Sequence, residues 1–296
     1  MFTAFILTSI ASLATGSSWA IVTSLGLALG GIATGLGIPL PMAAGAIVSG
    51  CFLGDKWSPL SDTPNLSAAS TGQNIIKLFK SMVPTSGFGA ILAAVGFLVL
   101  GFIISESGSA NSNAVVKLMN GLSSSFNLNI LLVLPVIFVF VMAAFTFAGF
   151  IEKIGVLDAI MEKLIRIIKS TRSLIICSLF TSIATVYLSP SVYVSIILNG
   201  RMYDKAYRKK NLDIINLSRT ITEGSAYFGG MCPWSGGGLL VISSLGVSPW
   251  AYVPYVFGCW GAIVFTIVWA YTGKYIPKTE YNEKGDLTSA AESLQL

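Results

Sequence analysis

The 296-residue chain has no histidine and few charges, with 13 acidic and 18 basic residues making up 10% of it. The missing imidazole excludes histidine metal sites and histidine acid–base chemistry. Only Asp, Glu, Lys, Tyr and Cys remain to carry protons. Cysteine is rare as well. Cys51, Cys177, Cys232 and Cys259 form no Cys-x-x-Cys pair and sit in apolar or glycine-rich surroundings. That pattern reads as buried thiols and not as a disulfide framework. A phosphate-binding loop is also missing, since Gly236-Gly237-Gly238 is not followed by Lys and Ser/Thr. No paired catalytic motif is evident, so neither an enzyme nor a bound cofactor is expected. The first residues, Met-Phe-Thr-Ala-Phe-Ile-Leu, lack the basic flank of a cleaved signal peptide, and Met1 opens almost directly into an apolar segment.

What is present is apolar. Hydrophobic residues make up 54% of the chain and the mean hydropathy is +0.77. A soluble domain carries about 25% charged residues, and a chain this apolar cannot hide its surface in one water-soluble core. The composition predicts an all-α, multi-pass protein of the cell membrane, surrounded by lipid, with roughly six to nine spanning or half-spanning segments. Residues 1–277 read as one transmembrane domain and 278–296 as a polar, flexible tail. The net charge of +5 fits cytoplasmic loops, not a nucleic-acid partner.

Polar chemistry gathers at Gly54-Asp55-Lys56-Trp57-Ser58-Pro59-Leu60-Ser61-Asp62-Thr63-Pro64-Asn65, directly after the apolar run from Ile38 to Leu53. Pro59 and Pro64 disfavour helix at Ser58 and Thr63. The run is therefore expected to break here and to leave carbonyls free beside Asp55, Ser58, Ser61 and Asp62. Oxygen ligands at a broken membrane helix suit a hard cation such as sodium. A polar loop at the bilayer surface is the alternative reading.

Thr15-Gly16-Ser17-Ser18-Trp19 predicts a close helix contact or a break. Ala68 to Val83, with Lys77 and Lys80 among apolar residues, reads as an amphipathic interface helix. Gly87 to Ser105 and Leu128 to Phe150 read as spans. Glu106 to Asn127 between them reads as a non-cytoplasmic loop, and Ile151 to Ser170 as a surface helix on the cytoplasmic side.

Leu174 to Asn199 is long for one span and too short for two, and holds Ser189-Pro190-Ser191. Both flanks are basic: Lys163, Arg166, Lys169 and Arg172 before it; Arg201, Lys205, Arg208, Lys209 and Lys210 after it. A re-entrant hairpin with its buried tip near Pro190, lining a cavity, puts both flanks in the cytoplasm. One tilted, proline-kinked helix is the alternative.

Asn211 to Glu223 is polar, and Arg219 and Glu223 read either as an intramembrane pair or as a loop salt bridge. Gly224 to Gly238 is glycine-dense and predicts an unwound crossing. Leu239 to Leu245 resumes an apolar helix, and Trp250 to Tyr275 is the last span, with Trp250, Tyr252, Tyr255, Tyr271 and Tyr275 as interface anchors. Ile21-Val22-Thr23-Ser24-Leu25-Gly26 echoes Val241-Ile242-Ser243-Ser244-Leu245-Gly246, each after a Trp with Ser/Gly neighbours. Paired broken segments are a mark of repeat-built transporters.

The stretch Gly54-Asp55-Lys56-Trp57-Ser58-Pro59-Leu60-Ser61-Asp62-Thr63 resembles the signature of the NhaC-type sodium/proton antiporter family. Gly16-Ser17-Ser18-Trp19, Gly37-Ile38-Pro39-Leu40-Pro41, Gly200-Arg201-Met202, Leu217-Ser218-Arg219-Thr220, Pro233-Trp234 and Leu245-Gly246-Val247-Ser248 extend the resemblance in order. Family members are commonly longer, which reads as a missing N-terminal segment. The chain has Thr222-Glu223 where the family usually shows a Glu-Asp pair, and Ser191 where an acidic residue is common. The resemblance implies sodium/proton exchange at a bacterial plasma membrane. Exchange of a small organic anion coupled to sodium and protons, with Arg219 or a helix N-terminus holding the carboxylate, is the alternative. An inactive fragment that needs a separate N-terminal part, or a homo-oligomer, is a further possibility.

Cation/proton exchange needs a carboxylate that either cation occupies, but not both. Burial disfavours a carboxylate's charged form and a bound cation restores it. Asp55 is the first candidate and Asp62 the second, together as a sodium site. Ser58, Ser61, Thr63 and Asn65 are candidate neutral ligands, and Glu223 is a further proton- or ion-binding candidate. Lys56 is a candidate partner of either Asp, and Arg219 of Glu223. Ser17, Ser18 and Ser235 are candidate supporting residues, or packing residues alone.

Overall fold

The computed structural model describes residues 1–107 and 170–281, with single positions at 139, 142, 143, 146, 150, 153, 154 and 168. Most of the loop expected at 106–127, of the span at 128–150, of the surface helix at 151–170 and of the polar tail lies outside the described residues, while Glu106 and Ser107 are helical. Within them the fold is all-α, and extended pairing is confined to a single bridge between Leu212 and Lys278.

The first helix, α1 (Phe2–Thr15), ends at Gly16 in the left-handed conformation, φ +69°. A side chain there would also strike the backbone of Leu60, so the turn and the close approach both require glycine. Ser17 then caps α2 (Ser18–Ile21), its hydroxyl accepting from the Ala20 N–H at 3.3 Å. A π-helical turn, Val22–Gly26, joins α2 to α3 (Leu27–Gly35). The break expected around Gly16 is thus present.

The run after Ile38 becomes α4 (Leu40–Lys56), with Pro41 in its first turn, where a missing N–H costs nothing. Helix α1 packs along α4, and the contact is close because Gly50 and Gly54 of α4 face α1 backbone. After the loop at Trp57–Ser61, α5 (Asp62–Ser70) begins. Thr63 and Pro64 are helical, contrary to expectation, because Pro64 falls in the first turn, where proline is tolerated. The carbonyls expected to be free are also taken: Asp55 accepts from the Ser58 N–H, Ser58 from that of Ser61, and Pro59 from the Asn65 amide.

Ala68–Val83 is not one interface helix. The chain turns at Thr71–Gln73, and Asn74 caps α6 (Ile75–Met82). A π turn, Val83–Gly87, carries α6 into α7 (Phe88–Ser107). Residues Ile75–Ile104 together make one long apolar span. Leu78 and Met82 are buried, while Ile91, Val95, Val99 and Phe102 form an exposed apolar face suited to lipid.

The Leu174–Asn199 stretch forms two helices, α8 (Thr171–Leu188) and α9 (Val192–Lys209), folded back on each other around Ser189–Ser191. Hydroxyl and amide contacts zip them together: Ser178 with Tyr207 at 2.7 Å, Thr181 with Asn199 at 3.0 Å, and Ser195 to the Ser182 carbonyl at 2.8 Å. A single kinked helix would not bring these residues together.

At the centre lies α10 (Ile215–Gly229), buried at every residue although much of it is polar. It packs against α4, α5, α6, α8 and α9. The glycine-dense stretch is therefore helical up to Gly229. The unwound part is shorter, Gly230–Ser235, before α11 (Gly236–Leu245). Helix α11 and the short α12 (Pro249–Tyr252) with its 3-10 continuation meet at 85°. The last helix is α13 (Phe257–Thr272), shorter than the expected span. Tyr252 is not an interface anchor: it is buried and donates to the Gly230 carbonyl.

The two echoing segments touch. Helix α11 packs on the Val22–Gly26 turn, and Ser235 caps α11 as Ser17 caps α2. Three described helices, Ser18–Gly35, Ile75–Ile104 and Thr171–Leu188, are long and apolar enough to cross a membrane, and the bent pair after Gly236 makes a fourth if it is one span.

Candidate functional site

Five elements converge on one small cavity of about 100 Å³. The α1–α2 junction contributes Gly16 to Trp19, α4 contributes Phe52 and Asp55, and α5 contributes Asp62 and Thr63. The hairpin tip adds Val192 and Tyr193, and α10 adds Ala226. Apart from α10, which passes the cavity as a continuous helix, each segment arrives at or beside a break, at Gly16, at Trp57–Ser61 or at Ser189–Ser191.

Asp55 sits one residue before the end of α4 and is 5% exposed. Its Oδ2 accepts from the Ser18 hydroxyl at 3.1 Å. Its Oδ1 is buried with no hydrogen-bond partner among the described residues. An ionised oxygen left so is costly unless a cation or a proton meets it. Asp62 lies across the same cavity and is exposed. Its Oδ2 accepts from the Tyr193 phenol of the hairpin tip. Among the described residues, no lysine or arginine lines the cavity.

The other predicted residues divide. Ser17, Ser18 and Thr63 line the cavity. Ser61 is buried, 3.3 Å from Thr63 by their hydroxyls. Ser58 accepts from the Leu60 N–H, and the Asn65 amide donates to the Pro59 and Ser61 carbonyls; both tie the loop and neither lines the cavity. Ser235 is a cap, accepting from Gly238 N–H at 3.0 Å and donating to the Gly229 carbonyl at 2.5 Å.

Lys56 and Glu223 form a second cluster outside the cavity. They are ion-paired, with neither side chain exposed. Lys56 also lies over the Tyr227 ring, 4.2 Å from its centroid. The other Glu223 oxygen accepts from Thr85 at 2.7 Å and Ser86 at 2.9 Å, both in the π turn before α7. Lys56 is thus the partner of Glu223, not of either Asp. Arg219 is not that partner: its guanidinium donates to the Ser81 and Tyr275 carbonyls, each at 3.0 Å. The loop salt-bridge reading of Arg219 and Glu223 also fails, since both are buried in α10. Sequence reasoning missed Tyr193, Thr85 and Ser86. The nearest signal for the last two was Pro84 inside an apolar run, which bends a helix and frees polar groups.

The chain matches the Na+/H+ antiporter family over two overlapping stretches, 50–141 and 109–274, which include Asp55, Asp62 and Tyr193. The chain belongs to that family. An uncharacterized Na(+)/H(+) antiporter of Haemophilus influenzae is 27% identical, over 93% of this chain and 75% of its own length. The Malate-2H(+)/Na(+)-lactate antiporter of Bacillus subtilis is also 27% identical, over 94% and 74%. The Na(+)/H(+) antiporter NhaC of Alkalihalophilus pseudofirmus is 26% identical, over 90% and 72%. The NhaC resemblance of the Asp55–Thr63 stretch therefore extends across most of this antiporter-family chain. Its apolar helices make it a membrane protein.

Proposed function

We propose that this chain exchanges sodium for protons across the bacterial plasma membrane, and that Asp55 is the carboxylate the two cations occupy in turn. The observation that carries the reading is a buried Asp55, its Oδ1 without a hydrogen-bond partner, in the wall of a cavity that holds a second carboxylate. A sodium ion there would take Asp55 Oδ1, hydroxyl oxygens such as those of Ser18 and Thr63, and water. Asp62 would act from the other wall. Lys56–Glu223 stays outside the exchange as an internally neutral pair. Competition between sodium and a proton for one negative charge couples the two fluxes, since neither leaves the buried Asp55 carboxylate uncompensated. On this reading the half-saturating sodium concentration rises as the pH falls.

A second reading follows from the malate–lactate relative, which is as similar to this chain as the Haemophilus antiporter. It places a small carboxylate among the substrates. Two acidic residues, with no basic one among the described residues of the cavity wall, oppose it. Proton flux in everted vesicles carrying this chain alone, after pulses of sodium, lithium and potassium, tests the first reading. Uptake of radiolabelled malate in the same vesicles tests the second. Sodium-driven proton movement without malate uptake supports the first; malate uptake that requires sodium overturns it in favour of the second.

A further inference from the structure

Tyr193 stands in the first turn of α9, directly after the break at Ser189–Ser191. The Ser191 hydroxyl caps that helix by accepting from the Val194 N–H at 3.4 Å, so the phenol is carried by the hairpin tip as a unit. Its hydroxyl reaches across the cavity to Asp62 on α5 and donates to Oδ2. Asp62 therefore meets a neutral donor on another element, where a cation would otherwise be expected. Asp55, on the facing wall, has no such donor on Oδ1. Each carboxylate of the cavity thus accepts from one hydroxyl on another element, Asp55 from Ser18 and Asp62 from the Tyr193 phenol, while Asp55 keeps a buried Oδ1 without a donor.

We propose that Tyr193 is a positioning residue for cation exchange, holding Asp62 with a hydroxyl that an incoming cation must displace. The inference rests on the sodium/proton reading of this cavity. A neutral O–H is a weaker partner for a carboxylate than a cation at contact distance, yet stronger than nothing. It fills the place of the cation between turnovers, keeps Asp62 from lying unpaired, and so eases release. Because the phenol belongs to the hairpin tip, displacing it also breaks this hydrogen-bonded link between the tip and α5.

The test is the Tyr193→Phe variant of the whole chain, with sodium as the probe. Half-saturating sodium is read from sodium-dependent thermal stabilisation of the purified protein, which needs no turnover. The maximal exchange rate is read in everted vesicles. Without the competing hydroxyl, half-saturation falls about tenfold, the equivalent of one hydrogen bond to a charged group, and the maximal rate falls with it. Tyr203→Phe is the control. Tyr203 is on the same helix, but its hydroxyl meets Thr181 at 3.1 Å and not Asp62, so its loss leaves half-saturation unchanged. An unchanged or raised half-saturation in Tyr193→Phe overturns the proposal, as does an equal fall in Tyr203→Phe. If Asp55→Asn abolishes exchange while Tyr193→Phe behaves as wild type, the exchange reading stands and only the role of Tyr193 falls.

Discussion

Lys56 turns away from its neighbour Asp55 and pairs with Glu223, on another helix, with both side chains fully buried. Successive residues on a helix point about 100° apart, so a single helix end delivers one carboxylate to the cavity and one ammonium to the core. The pair joins α4 to α10, and through Thr85 and Ser86 it reaches the π turn before α7.

Breaking this pair on one side leaves a buried charge. Lys56→Met and Glu223→Gln are each expected to destabilise the protein by about 3–5 kcal/mol. The double variant recovers most of that loss, because no uncompensated charge remains. Thermal unfolding of the four proteins in one detergent forms the double-mutant cycle. Additive losses would show that the two residues act independently.

Ser18 donates a hydrogen bond to Asp55 from across the α1–α2 break. On the sodium/proton reading proposed above, Ser18→Ala removes a donor and a cation ligand together. The expected outcome is a half-saturating sodium concentration about tenfold higher, with exchange retained at high sodium. Sodium titration of proton flux in everted vesicles measures it. An unchanged titration would take Ser18 out of the site.

Gly54 lets α1 approach the end of α4 beside Asp55. A Cβ there would lie 2.8 Å from the Leu13 nitrogen and 2.9 Å from the Ser12 Cβ. Gly54→Ala is therefore expected to cost about 1–3 kcal/mol through overpacking. Gly101→Ala in α7 meets nothing within 4 Å and gains about 0.5–1 kcal/mol from helix propensity. Melting temperatures of the two variants, opposite in sign, check the contrast.

The sequence was readable where a local rule governs. Gly16, Pro190, the glycine-dense stretch Gly224–Gly238 and the apolar runs marked the breaks and several of the helices. The basic flanks of 174–199 pointed to a hairpin because charge reports which side of the membrane each end lies on. Local rules failed where tertiary context decides. Pro64 read as a breaker, yet its place in a first turn made it harmless. Asn211–Glu223 read as a polar segment of uncertain depth, yet its polar side chains satisfy one another and neighbouring backbone in the middle of the bundle, as Ser218 does with Ser67 at 3.1 Å. The choice of Lys56 as the partner of Glu223, and of Tyr193 as the partner of Asp62, spans more than a hundred residues, and no periodicity or spacing encodes it.

The central claim is that Asp55 holds the exchanged cation. Asp55→Asn keeps the shape of the side chain and removes its charge. In everted vesicles with matched expression, the account predicts that sodium pulses no longer move protons through this variant. Sodium-dependent proton flux equal to that of the unmodified chain would contradict it.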